Sequence, residues 1–150
     1  MVSSKNFTSI PISILITALL IFLSGCGNPT TNIMLKSTED SNEMNAVQMK
    51  IVQLRSAEKF KLASRESLLR NPDETLGDDL IPNSKVEKIM IPGETFSLEN
   101  VELSEETKYI GIFGDFFSPA TDGWSQLIDV SEGKDEIKIV IGKNFLSVSE

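Results

Sequence analysis

From Ile33 onward, hydrophobic and polar positions trade places in short runs. Ile33 to Lys36 opens a first strand, and Ser37 to Asn45 (STEDSNEMN) is polar, acidic and turn-rich, so it reads as a loop. Val47, Met49 and Ile51 then alternate with Gln48 and Lys50, the period-two signature of a half-buried strand. The apolar positions next move to Val52 and Leu54, which predicts a bulge or a strand buried on both faces. The following stretch changes period. Ser56 is placed to cap a short helix over Ala57–Ala63, and Ser64 a second one through Leu69. Asn71-Pro72 stops that helix, and Asp73 to Leu80 adds a further turn around Gly77.

After Pro82 the strand pattern returns. Val86 to Ile91 ends at a Pro92-Gly93 turn. Phe96–Leu103, Tyr109–Phe117, Trp124–Val130, Ile137–Ile141 and Phe145–Val148 follow, and Gly142-Lys143-Asn144 fits a tight hairpin between the last two. Regular short strands at this spacing predict a sandwich or barrel. The fold class expected is mainly β, with a small helical insert after the second strand.

The N-terminal residues have a different pattern. Lys5 precedes an almost unbroken apolar run from Ile10 to Leu23, too short and wrongly flanked to span a membrane. Leu23-Ser24-Gly25-Cys26 follows, and Cys26 is the only cysteine of the chain. This is the lipobox of a bacterial lipoprotein signal peptide. A thiol must accept the lipid as a thioether, and small residues must fit the peptidase that cuts before it. An ordinary secretory signal with a chance cysteine is the alternative. The expected organisation is a removed signal peptide over 1–25, a lipidated tether over 26–32 and a mainly β domain over 33–150. Gly27 is not the aspartate that commonly retains lipoproteins at the inner membrane, which points to the outer membrane, facing the periplasm.

Charge and composition narrow the function. Without Lys5, 13 basic residues face 22 acidic ones, a net charge of −9. That balance argues against nucleic acid, whose phosphates need clustered Lys and Arg. It also argues against electrostatic attachment to anionic membranes, leaving the lipid as the anchor. With Cys26 acylated no thiol remains for a disulfide. The chain has no histidine, which removes His-assisted triads and most zinc sites. Asp78-Asp79 and Glu105-Glu106 are adjacent carboxylates, which point to opposite faces of a strand or are solvated in a loop, so they do not flank one glycosidic bond. Glu39, Asp40 and Glu43 lack the spacing and central glycine of a calcium loop. The expectation is a non-enzyme with no metal, no small-molecule substrate and no cofactor beyond the lipid on Cys26. Phe113 and Trp124 are expected to pack between two sheets. Phe116 and Phe117 are neighbours, so at least one faces outward, where an aromatic can mark an interface.

Taken in order, these segments resemble the TssJ family, the outer-membrane lipoproteins of type VI secretion. That family reads P-V-x-V-R-V-Y-Q-L on its second strand, and here the segment is Ala46-Val47-Gln48-Met49-Lys50-Ile51-Val52-Gln53-Leu54. Phe60 and Ala63 match a phenylalanine and alanine of the family's helical insert. Leu76-Gly77-Asp78-Asp79-Leu80 is similar to its "LG-DL" element, Ile91-Pro92-Gly93 to its "L-x-P-G", Tyr109-Ile110-Gly111-Ile112 to its aromatic-aliphatic-glycine strand, and Trp124 to its tryptophan. The chain departs from the family at Phe113-Gly114-Asp115-Phe116-Phe117, where a basic residue is missing, and its loop after strand one is short. The resemblance implies a transthyretin-like two-sheet β-sandwich and a structural role. It implies binding to the periplasmic C-terminal region of TssM, with TssL in the same membrane complex. Carried over by position, the partner-binding loop between strands one and two contains Glu39, Asp40, Ser41, Asn42 and Glu43. A lipid-anchored ligand-binding module is the alternative function.

Overall fold

The computed structural model describes residues 27–149. The expected signal peptide and the expected lipidation site, Cys26, lie outside the described residues. The strands are β1 (Thr30–Ser37), β2 (Val47–Leu54), β3 (Val86–Met90), β4 (Thr95–Glu102), β5 (Tyr109–Asp115), β6 (Ser125–Asp129), β7 (Glu136–Ile141) and β8 (Leu146–Ser149). Between β2 and β3 lie three short helices, α1 (Glu58–Leu62), α2 (Arg65–Arg70) and α3 (Pro72–Leu76). One sheet has the order β4-β1-β7-β8 and the other β3-β2-β5-β6. Every pairing is antiparallel except β1 with β7.

The inner faces of both sheets supply the main core, including Ile33, Leu35, Val47, Met49, Ile51, Ile110, Ile112, Phe116, Ile137 and Ile139. β2 is buried on both faces and has no bulge: its register against β3 and β5 is continuous. Val47, Met49 and Ile51 face the sandwich. Val52 and Leu54 face the other way, into a second core with Phe60, Leu68, Leu76, Leu80 and Phe113 beneath the helices. Phe113 therefore does not pack between the sheets as expected. It meets Phe60 edge to face, with ring centroids 6.0 Å apart. Trp124 is partly buried and touches both cores.

The chain irregularity is instead in β1, which starts at Thr30 rather than Ile33. Its register with β4 shifts between Thr31 and Ile33. Asn32 Oδ1 accepts the Asn100 N–H there at 2.9 Å. Thr31 is buried yet polar, so hydrophobic periodicity does not reveal these first residues. In the insert, Ser64 Oγ accepts the Ser67 N–H at 3.1 Å, capping α2 as expected. Pro72 opens α3 instead of only ending α2, because the first helical position lacks a partner for its N–H anyway. Buried Lys50 donates to the Leu69 carbonyl at 2.8 Å, holding the C-terminal turn of α2 against the sheet.

Gln53 ties β2 to the β4–β5 loop. Its Nε2 donates to the Glu102 carbonyl at 2.9 Å. Its Oε1 accepts the Ser104 N–H at 3.1 Å and the Thr107 hydroxyl at 2.7 Å. Gln53 and Thr107 are both buried, so Gln53→Ala strands partners that water reaches poorly. The expected cost is about 1–3 kcal/mol. Urea denaturation checks this, and an unchanged midpoint would show that water replaces all three bonds.

Candidate partner-binding pole

β1 sets the polarity of the domain. At its start the Pro29 carbonyl accepts the Leu103 N–H at 2.8 Å. Its 8 residues rise about 3.3 Å each, so Ser37 lies roughly 26 Å away, at the opposite pole. Strand directions bring four connections to that pole: 38–46, 91–94, 116–124 and 142–145. They are stitched together. Thr38 N–H donates to the Ile141 carbonyl, Gly93 N–H to the Thr38 carbonyl and Ala120 N–H to the Asn144 carbonyl.

The five loop residues singled out from the sequence divide into two groups. Glu39, Asp40 and Glu43 are exposed, whereas Ser41 and Asn42 are buried. Thr38 Oγ1 donates to Asp40 Oδ1 at 2.7 Å. Ser37 Oγ donates to Ser41 Oγ at 2.6 Å beneath the loop. The Glu39 carboxylate lies over the Gly93 turn, where φ is +75° and an added Cβ would come within 2.8 Å of Glu39 Oε1. In that turn the hydrogen bond from Lys88, followed by the Ile91 N–H, holds the Glu94 carboxyl below the usual carboxylate range.

Asn42, Glu43 and Met44 form an unusual run with φ of 46°, 56° and 64°. Asparagine tolerates the left-handed region, but Glu and Met adopt it at a conformational cost. The turn is held by surrounding bonds. Asn45 Nδ2 donates to the Asn42 and Glu43 carbonyls, at 3.2 and 3.0 Å. Asn42 Nδ2 donates to the Ala46 carbonyl at 2.6 Å. Asn42 Oδ1 accepts the Phe117 N–H at 2.7 Å, linking two loops 75 residues apart in sequence. The result is an outward Met44, 76% exposed, on one loop and an outward Phe117, 80% exposed, on the loop that Asn42 latches to it. Phe116 points into the core, so the aromatic pair divides as expected. Arg65 of α2 donates to Asp115 Oδ1 at 2.7 Å and to the Phe116 carbonyl at 2.6 Å, bracing the same segment from the insert. A cleft between the two loops is lined by Asn45, Ala46, Asp115 and Phe117.

Sequence reasoning missed Asn42 as a latch, and it missed Met44 and Arg65. The signal available for Asn42 was its type alone, an asparagine in a turn-rich segment. The acidic pairs sit elsewhere. Asp79 accepts the Lys59 N–H, Asp78 pairs with the Lys59 ammonium, and Glu106 pairs with Arg55. Among the described residues no group of three or more His, Cys, Asp or Glu is placed to hold a metal ion. No described helix is long and apolar enough to cross a membrane.

The model of the type VI secretion lipoprotein family (VasD, EvfM, TssJ) matches residues 29–144. No curated protein sequence matches the chain. Solved structures resemble it in fold. The T6SS lipoprotein TssJ1 from Pseudomonas aeruginosa aligns with a TM-score of 0.73 at 22% identity, over 81% of this chain and 95% of that one. Serratia marcescens Lip, a membrane bound component of the type VI secretion system, aligns with a TM-score of 0.70 at 16% identity, over 82% and 97%. A chain in the structure of the T6SS protein TssM C-terminal domain (869-1107) from EAEC aligns with a TM-score of 0.68 at 18% identity, over 81% and 98%. The sandwich of two four-stranded sheets is the fold they share with it. With the family model matched across both sheets, the chain belongs to the TssJ family of type VI secretion lipoproteins, a structural rather than an enzymatic family.

Proposed function

We propose that this lipoprotein is anchored in the outer membrane through lipid on Cys26, faces the periplasm, and holds the type VI membrane complex by binding the periplasmic C-terminal region of TssM. TssL is reached indirectly, through that complex. Residues 1–25 are removed, the residues before Thr30 act as a short tether, and no cofactor beyond the lipid takes part. The observation that carries this reading is the position of loop 38–46. It lies at the pole opposite the attachment end of β1 and presents Glu39, Asp40 and Glu43 outward. A partner approaching from the inner membrane meets that pole first. Exposed carboxylates there favour a basic partner surface and speed association.

Calorimetry with the TssM region from the same organism tests the reading. The wild-type chain is expected to bind saturably at one site. Replacing Glu39, Asp40 and Glu43 together by Ala is expected to weaken binding several-fold at low salt and less at high salt, where exposed charges are screened. Affinity unchanged from the wild type at both salt concentrations overturns the loop assignment. Absence of binding by the folded wild-type chain overturns the partner and favours a ligand-binding lipoprotein.

A further inference from the structure

We propose that the affinity of this pole resides in an apolar pair, Met44 and Phe117, set in register by Asn42. Its occupant is an apolar hollow rimmed by basic side chains on the TssM region. The inference rests on the reading above and deepens it. Exposed apolar side chains scattered singly need no explanation, and Leu62 on the insert is of that kind. Met44 and Phe117 differ in how they are held.

Met44 is carried outward by the last of three left-handed residues, a backbone that persists only because Asn45 and Asn42 over-determine it. Phe117 has its amide fixed by the same Asn42, and the carbonyl before it fixed by Arg65. The two loops therefore form one unit with little freedom to lose on binding, which favours affinity. The surroundings specify the occupant. Glu39, Asp40 and Glu43 are exposed on the loop that carries Met44, so acidic side chains share this pole with the apolar ones. Aromatic and methionine anchors within a polar rim are the composition of interface centres, and a basic rim around an apolar hollow is the complement. Asn42 is a positioning residue here, because it is buried and touches the partner only through Phe117 and Met44.

The test uses the full chain in detergent and the TssM region, read by calorimetry at two salt concentrations. Met44→Ser and Phe117→Ser are each expected to weaken binding about tenfold or more. The loss is expected to be equal at both salt concentrations, unlike that of the acidic-loop variant. Both should melt at the wild-type temperature, since both side chains are exposed. Leu62→Ser serves as a control and should bind normally. Asn42→Gly keeps the left-handed backbone accessible while removing both side-chain bonds. It should weaken binding in the wild-type background and add only part of that loss in the Phe117→Ser background, because part of its effect passes through Phe117 and the rest through the Met44 turn. Wild-type affinity in the Met44 and Phe117 variants, or an equal loss in Leu62→Ser, overturns the apolar pair while the partner reading stands. An additive loss for Asn42→Gly overturns its positioning role. Absence of binding by the wild-type chain overturns the partner reading and the pair with it.

Discussion

Phe60→Ala is expected to lower the unfolding free energy by about 3–5 kcal/mol, the cost of emptying a large buried site. Phe60 is buried and interlocks with Phe113, an edge-to-face pair that adds about 0.5–1.5 kcal/mol beyond burial. The consequence is local as well as global. The three helices of the insert contain 5, 6 and 5 residues, far too few to be stable on their own. They are ordered by the second core, and Phe60 is its largest contribution from the insert. Urea denaturation should show the lowered stability. Hydrogen exchange should show residues 58–76 losing protection before the sheets do. Retention of protection in the insert would mean that Leu68 and Leu76 in the second core, with the Lys50 and Arg65 hydrogen bonds, hold it down without Phe60.

Gly111→Val is expected to destabilise from the opposite direction, by overfilling the same place. An added Cβ at Gly111 would come within 2.6 Å of Phe60 Cε2 and 3.1 Å of Val52 Cγ2. Valine suits a strand better than glycine, by a fraction of the roughly 1 kcal/mol span of strand preferences. Overpacking costs about 1–3 kcal/mol or more, so the clash wins. The ring of Phe60 is wedged against Phe113 and has little room to withdraw. A cycle with Phe60→Leu separates the causes. The smaller side chain should absorb part of the Gly111→Val penalty, giving a total well below the sum of the single losses. Strict additivity would place the decisive clash at Val52 rather than at Phe60. The aromatic-aliphatic-glycine pattern of β5 thus has a physical cause, the seat of an aromatic ring from the insert.

Most strands were readable because each has one face on a large core, which writes period-two alternation into the chain. β2 was harder, since Val52 and Leu54 seemed to break the alternation begun by Val47. The break exists only if one core is assumed. With the insert covering the outer face, the alternation continues unbroken and both sets of positions are apolar. Phe113 was misplaced for the same reason, because hydrophobicity marks a residue as buried without saying on which side of a sheet. The start of β1 was invisible because Thr31 is a polar residue in a core position. At the distal pole, the acidity of the loop was plain, but the latch was not. Asn42 works through a carboxamide bonded to residues 4 and 75 positions away, a relation no local pattern carries.

The parallel pairing of β1 with β7 matters most when the chain is pulled. β1 is the first strand of the domain, yet it is central in its sheet, bonded to β4 on one side and β7 on the other. In the arrangement proposed above, a load between the N-terminal anchor and a partner at the far pole would run along this strand. Its ladder bonds stand across that direction on both sides, so they must shear together rather than unzip one at a time. An N-terminal edge strand would peel under the same force. An N-terminal strand held inside its sheet gives the domain the geometry of a mechanical link under such a load.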